Sequence, residues 1–212
     1  VYGSAGEDTI TGGAGTDTID GGADNDTIDG GIGDDTIDGG LGDDHVVGGM
    51  GDDTITGGEG QDTVEFLGSM ANFTVAVAAN GTLTITDTTT QEGIDVVSGV
   101  ERLRFADGEL AVATGEDGYV TLTDALGEND DVVTIVGPEA VTLRGLAGDD
   151  TLTGGDGADI IEGADGADII DGGAGADLIA AGDGDDTVYG SAGEDTITGG
   201  AGADIIDGGL GD

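Results

Sequence analysis

The sequence predicts an all-β fold, a β-solenoid of nonapeptide repeats in two blocks with a β-rich insert between them. Three observations predict it. A glycine- and aspartate-rich unit returns every nine residues; one large aliphatic residue returns at the same place in each unit; and the 212 residues include 48 glycines against three Tyr, three Phe, one Pro and no Trp. So few bulky side chains cannot fill a broad globular interior, whereas a narrow coil needs only one inward column.

The first block reads GSAGEDTIT, GGAGTDTID, GGADNDTID, GGIGDDTID, GGLGDDHVV, GGMGDDTIT and GGEGQDTVE from Gly3 to Glu65. The second starts at Gly145 with GLAGDDTLT, GGDGADIIE, GADGADIID, GGAGADLIA, AGDGDDTVY, GSAGEDTIT and GGAGADIID, and runs into an eighth unit at Asp212. Numbering each unit one to nine, positions seven to nine are expected to form a short strand whose position-eight residue points inward, by the two-residue alternation of extended chain. The inward column is then Ile10, Ile19, Ile28, Ile37, Val46, Ile55 and Val64, followed by Leu152, Ile161, Ile170, Ile179, Val188, Ile197 and Ile206. On this reading that column is the only core available. Positions one to six are expected to form the turn, where glycine allows backbone shapes closed to other residues and leaves carbonyl oxygens exposed.

Between the blocks, residues 66–144 lose the nonapeptide and keep β character. Phe73–Val77, Leu83–Thr86, Val100–Phe105, Tyr119–Leu122 and Val132–Val136 are β-branched or aromatic runs, punctuated by Asn80-Gly81, Asp107-Gly108 and Gly137-Pro138. Echoes of the unit persist at Glu92-Gly93-Ile94-Asp95-Val96-Val97 and at Asn129-Asp130-Asp131-Val132-Val133. The expected organisation is therefore block 1 over 1–65, an insert over 66–144 stacked in line with the coil, and block 2 over 145–212. A longer period is superposed, because residues 1–15 recur letter for letter at 188–202. That offset predicts one module plus the start of a further one from about residue 188, taken from a tandem array.

Charge decides the partner class. With 47 acidic residues against three basic ones the net charge is −44, which would hold a chain so poor in aromatics disordered unless something neutralised it. Nucleic acid and anionic lipid are excluded as partners, since both are held through Lys and Arg. No apolar run approaches the length of a membrane span, so no membrane insertion is expected. No signal-peptide pattern opens the chain, so any export signal is expected elsewhere. Cysteine is absent, which removes disulfides and thiolate metal sites. The recurring acid is position six: Asp8, Asp17, Asp26, Asp35, Asp44, Asp53 and Asp62, then Asp150, Asp159, Asp168, Asp177, Asp186, Asp195 and Asp204. Carboxylates set among backbone carbonyls suit a hard cation with six to eight oxygen ligands, Ca²⁺ better than Mg²⁺, which insists on a strict octahedron and keeps its waters. Softer metals would require Cys or clustered His.

The unit Gly30-Gly31-Ile32-Gly33-Asp34-Asp35-Thr36-Ile37-Asp38 resembles the RTX repeat (repeat-in-toxin, hemolysin-type calcium-binding nonapeptide) of proteins exported by type I secretion. Residues 99–108, GVERLRFADG, are similar to segments interleaved among such repeats. The resemblance implies a parallel β-roll in which each nonapeptide is half a turn, so that loops 18 residues apart stack and hold Ca²⁺ between them. Asp17 would then share an ion with the loop of Asp35, and Asp26 with that of Asp44, for about ten ions in all. Asp24 at position four, Ala181 at position one, and Ser4, Leu146, Ala164 and Ser191 at position two depart from the pattern and place their own loops in question.

The remaining features read more plainly. The position-five acids Asp34, Asp43, Asp52, Asp149 and Asp185 and the position-nine acids Asp20, Asp29 and Asp38 are expected to be solvated charge. His45, the single histidine, stands where threonine is usual and is expected to be an exposed strand residue. The position-seven threonines Thr9, Thr18, Thr27, Thr36 and Thr54 form an outward row, as β-branched residues favour strands. No serine has a histidine partner at a repeating position, so no enzyme is expected within these residues. The sequence therefore predicts a secreted or cell-surface calcium-binding module that folds when its carboxylates are neutralised outside the cell. Its leading role is a structural or adhesive spacer, with tandem or lateral association between identical modules. The alternatives are the secretion tail of an exported protease, lipase or epimerase, and an ice-binding solenoid.

Overall fold

The computed structural model describes residues 1–89, 91–114, 120–124 and 130–211. Tyr119, Asn129 and Asp212, which enter the sequence reading, lie outside the described residues. Strands follow one another with little else. The first block forms β1 (Tyr2–Ala5), β2 (Thr9–Ala14), β3 (Thr18–Ala23), β4 (Thr27–Ile32), β5 (Thr36–Leu41), β6 (His45–Met50), β7 (Thr54–Glu59) and β8 (Thr63–Glu65). After a single 3₁₀ turn at Met70–Asn72 come β9 (Phe73–Val77), β10 (Leu83–Asp87), β11 (Ile94–Ser98), β12 (Arg102–Arg104), β13 (Glu109–Thr114), β14 (Val120–Asp124) and β15 (Val132–Val136). The second block forms β16 (Val141–Ala147), β17 (Thr151–Thr153), β18 (Ile160–Asp165), β19 (Ile169–Asp171), β20 (Leu178–Asp183), β21 (Thr187–Tyr189), β22 (Thr196–Ala201) and β23 (Ile205–Asp207).

The chain divides into two compact units, Val1–Phe73 with Thr82–Glu109, and Thr74–Gly81 with Leu110–Asp212. In the first, odd strands pair in parallel as β1-β3-β5-β7-β11 and even strands as β2-β4-β6-β8-β12. The register is 18 residues within the block: Ile10 lies opposite Ile28, Ile19 opposite Ile37, Ile28 opposite Val46 and Ile37 opposite Ile55. Each nonapeptide is thus half a turn of a parallel β-roll, as the resemblance implies. The insert joins the stack by register, with Val97 opposite Ile55 and Leu103 opposite Val64. It departs from all-parallel pairing where β10 runs antiparallel to β11.

The second unit repeats the plan. Its sheets are β9-β15-β17-β19-β21-β23 and β13-β14-β16-β18-β20-β22, with Leu152 opposite Ile170, Ile161 opposite Ile179 and Val188 opposite Ile206. Here too one pair, β13 with β14, is antiparallel.

Two expectations are corrected. Strands such as β3, β4 and β5 run from position seven through position three of the next unit, which leaves only positions four to six as turn. The glycines at positions one and two extend the strand because the chain stacks backbone on backbone there. The aliphatic column is also not the only core. Phe66, Phe73 and Phe105 form a buried aromatic triangle in the first unit, with centroids 5.2 to 5.4 Å apart. Leu83, Ile85 and Leu103 are buried in the same unit.

Candidate metal centre

Alternation along each strand sends positions six, eight and one inward. Position eight supplies the aliphatic column, buried from Ile10 to Val64 and from Leu152 to Val188. Position one is glycine in every unit but that of Ala181, because a side chain there crowds its neighbours. A Cβ built on Gly30 would stand 2.6 Å from Oδ2 of Asp35 and 2.6 Å from the carbonyl oxygen of Gly48, and Gly154 faces Asp159 Oδ2 and Gly172 O at 2.5 and 2.6 Å. Position six therefore turns its carboxylate into the coil.

The position-six aspartates form rows. In the first unit, the Asp8 N–H donates to Asp26 Oδ1, Asp26 to Asp44 and Asp44 to Asp62, each at 2.8 Å. On the other side Asp17 donates to Asp35, and Asp35 to Asp53, also at 2.8 Å. In the second unit one row runs from Asp150 through Asp168 and Asp186 to Asp204, and another from Asp159 through Asp177 to Asp195. The loops expected to share ions, those of Asp17 with Asp35 and of Asp26 with Asp44, are brought into direct contact. Asp26, Asp35, Asp44, Asp53, Asp62, Asp150, Asp159, Asp168, Asp177 and Asp186 are all buried, whereas Asp8, Asp17, Asp195 and Asp204 are half-buried toward the ends of their rows.

Oδ1 accepts a backbone N–H in Asp26, Asp35, Asp44, Asp53, Asp62, Asp159, Asp168, Asp177 and Asp186. Oδ2 of Asp8, Asp17, Asp26, Asp35, Asp44, Asp53, Asp62, Asp159, Asp168, Asp177 and Asp186 is buried without a hydrogen-bond partner. A buried charged oxygen left so is costly unless a proton or a cation meets it. Burial pushes the Asp53, Asp62, Asp168 and Asp177 carboxyls up to about 6, and Asp159 up to about 7, against the backbone N–H each accepts, which favours the ionised form. Neighbouring carboxylates add to the rise. Among the described residues no three His, Cys, Asp or Glu side chains gather as a metal cluster. At Gly21, Gly30, Gly39, Gly154 and Gly163 the orphan oxygen and a backbone carbonyl oxygen of the next turn both lie within 2.6 Å of where a Cβ would stand, so the donor set there is a carboxylate oxygen beside peptide oxygen. Those residues fit a hard, oxygen-seeking cation and no other class of metal.

The position-five acids are exposed as expected, yet they are not idle. Asp34, Asp43, Asp149 and Asp185 accept the position-five N–H of the loop 18 residues later, at 2.8 to 3.1 Å. His45 is half-buried and its Nε2 meets Glu65 Oε2 at 2.9 Å. Sequence reasoning missed Asp95, Glu101 and Asp131 as members of the rows: Asp95 Oδ1 accepts from Asp53, Glu101 Oε2 from Asp62, and the Asp131 N–H donates to Asp150. Asp95 and Asp131 could have been found, because both occupy position six of the two echoes. Glu101 could not, since the turn Gly99-Val100-Glu101 is three residues shorter than the unit and substitutes the longer acid.

Fold and site together define a class, the parallel β-roll whose stacked turns carry buried, half-satisfied carboxylates. The chain belongs to the RTX calcium-binding nonapeptide repeat family, whose pattern matches residues 2–37, 29–64, 144–179 and 180–212, well over half of its length. Among curated proteins no relative matches. Among solved structures it is similar to the extracellular lipase LipA from Serratia marcescens, at 24% identity and a TM-score of 0.34, over 92% of this chain and 33% of the lipase. The chain thus spans about a third of that protein.

Proposed function

We propose that this chain is a calcium-folded spacer module of a large secreted or cell-surface repeat protein, exported by type I secretion. The observation that carries the reading is the rows of buried aspartates, in which Asp26, Asp35, Asp44, Asp53, Asp62, Asp159, Asp168, Asp177 and Asp186 each have one oxygen fixed by a backbone N–H and the other without a hydrogen-bond partner. Bound calcium would supply the missing positive charge at those oxygens. Asp8, Asp17, Asp26, Asp35, Asp44, Asp53 and Asp62, with Asp150, Asp159, Asp168, Asp177, Asp186, Asp195 and Asp204, would hold about ten ions, one between each pair of stacked loops. Without cations the same residues repel one another at strand spacing and favour the unfolded chain. Binding free energy then becomes folding free energy.

Block 1 (1–65) and block 2 (145–212) would be the calcium-dependent parts, and the insert (66–144) the part with a side-chain core of its own. The letter-for-letter recurrence of residues 1–15 at 188–202 supports a tandem array, and with it the spacer role rather than the tail of an enzyme. Against ice binding, the threonine row Thr9, Thr27, Thr63 is interrupted by His45, and block 2 carries Ile160, Ile169 and Leu178 at that position. Far-ultraviolet circular dichroism during calcium titration tests the proposal: β signal is expected to rise from a disordered baseline, and a full-strength β spectrum in EDTA at neutral pH would refute it.

A further inference from the structure

The family match ends at residue 64 in this part of the chain, but the aspartate row does not. Loop 48–53, Gly48-Gly49-Met50-Gly51-Asp52-Asp53, has as its next neighbour residues 91–95, because β11 lies in parallel register on β7. The partner is 42 residues away in sequence instead of 18.

Three bonds define stacking between ordinary neighbours such as loops 30–35 and 48–53. The Asp35 N–H donates to Asp53 Oδ1 at 2.8 Å, the Asp52 N–H to Asp34 Oδ1 at 3.1 Å, and the Gly33 N–H to Met50 O at 2.7 Å. All three recur one step on. The Asp53 N–H donates to Asp95 Oδ1 at 2.9 Å, the Ile94 N–H to Asp52 Oδ1 at 2.9 Å, and the Gly51 N–H to Glu92 O at 3.1 Å. Gly93 takes the left-handed shape of Gly51, with φ +95° against +129°, and sits so close that a Cβ on it would strike Gly51 O. Asp53 is 1% exposed with its Oδ2 unpartnered, and Asp95 is 3% exposed. The nearby Glu92 carboxylate is already occupied by the Leu67 and Gly68 N–H groups at 3.0 and 3.1 Å, so it is not the answer to the orphan oxygen.

We propose that Asp53 and Asp95 form a divalent-cation site reaching beyond the nonapeptide blocks that pins the insert onto block 1. The site rests on the reading of the rows as calcium ladders and extends it to residues that the repeat pattern does not reach. Its occupation ties residues 53 and 95 together across a long excursion of chain, so that the insert is secured by the same ion supply as the repeats.

Asp95→Asn keeps an oxygen for the Asp53 N–H and removes the charge. Native mass spectrometry of the full chain at fixed free calcium is expected to show one ion fewer in this variant than in the wild type. An equal count with an unchanged calcium midpoint would overturn the site and leave the ladders standing, whereas a wild type that takes up no calcium would overturn both. Should D95N not regain the wild-type dichroism spectrum in calcium, crystals of the wild-type chain soaked in terbium decide. Anomalous density between Asp53 and Asp95 supports the site, and its absence there with ions in the nonapeptide loops refutes it.

Discussion

Five side chains stand where the coil takes a left-handed backbone. Ser4, Leu146, Ala164 and Ser191 at position two and Asp24 at position four hold φ between +69° and +90°, a left-handed conformation that costs a residue with a Cβ about 1 kcal/mol or more. The sequence marked these same positions as departures, and the backbone keeps its course through all five, held by the turns stacked against it. Leu146 is 41% exposed and gives up little burial, so Leu146→Gly is expected to stabilise the calcium-loaded protein by about 1 kcal/mol. Urea denaturation in saturating calcium measures this; an unchanged or lower midpoint would show that the strain is not stored there. The buried aspartates make a second prediction at this scale. The carboxyls of Asp53, Asp62, Asp168 and Asp177 are raised to about 6 and that of Asp159 to about 7 in the folded coil, above an unfolded value of 3.8. The folded form therefore binds protons more tightly, and the penalty of its carboxylates is full at neutral pH and is relieved as pH falls through about 7 to 5. In EDTA, β structure should increase on acidification from pH 7.5 to 5. A dichroism signal that stays flat across that window would contradict the assignment of the rows as the main obstacle to folding.

The half-turn of Asp34 and Asp35 is stapled in both directions. Its position-six carboxylate receives a backbone N–H from the turn before, and its position-five side chain receives one from the turn after. Residues read as mere solubilising charge thus share in the stacking, through the backbone and at the surface. Sideways, within the nonapeptide blocks, the aliphatic column holds the two sheets together. Ile28 is fully buried between Ile10 and Val46, and Ile28→Ala should cost about 2 to 5 kcal/mol and raise the calcium concentration needed for folding. Ile206 occupies the same position of its repeat at 48% exposure, and Ile206→Ala should shift stability by no more than about 0.5 kcal/mol. Thermal melts of the two variants at one calcium concentration make the comparison, and equal losses would mean that the column does not govern stability.

At the scale of the molecule, a charge of −44 opposes every compact form, and the interior offers less apolar surface than its length would suggest. The aromatic triangle of Phe66, Phe73 and Phe105 is the part of the first unit built like an ordinary core. Because each turn touches mainly its neighbours, folding is expected to spread along the stack once a few turns are neutralised. Calcium removal should then release the nonapeptide strands before the amides around the aromatic triangle. Hydrogen exchange followed by mass spectrometry at stepped EDTA would show that order, and simultaneous loss of all protection would argue for a single cooperative block.

The nine-residue period determined the half-turn, the inward column and the identity of fourteen row aspartates, since stacking a repeat on itself fixes which residues lie above one another. The echoes in the insert even carried two further row members, Asp95 and Asp131, in plain letters. What only the tertiary structure decided is which chain segment covers the last regular loops of block 1, and which oxygen of buried aspartates such as Asp35 and Asp53 is left over. Those depend on the register between residues 42 positions apart and on backbone approach too close for any Cβ. A local pattern has no term for either, because both are set by how the excursion of chain returns to the stack.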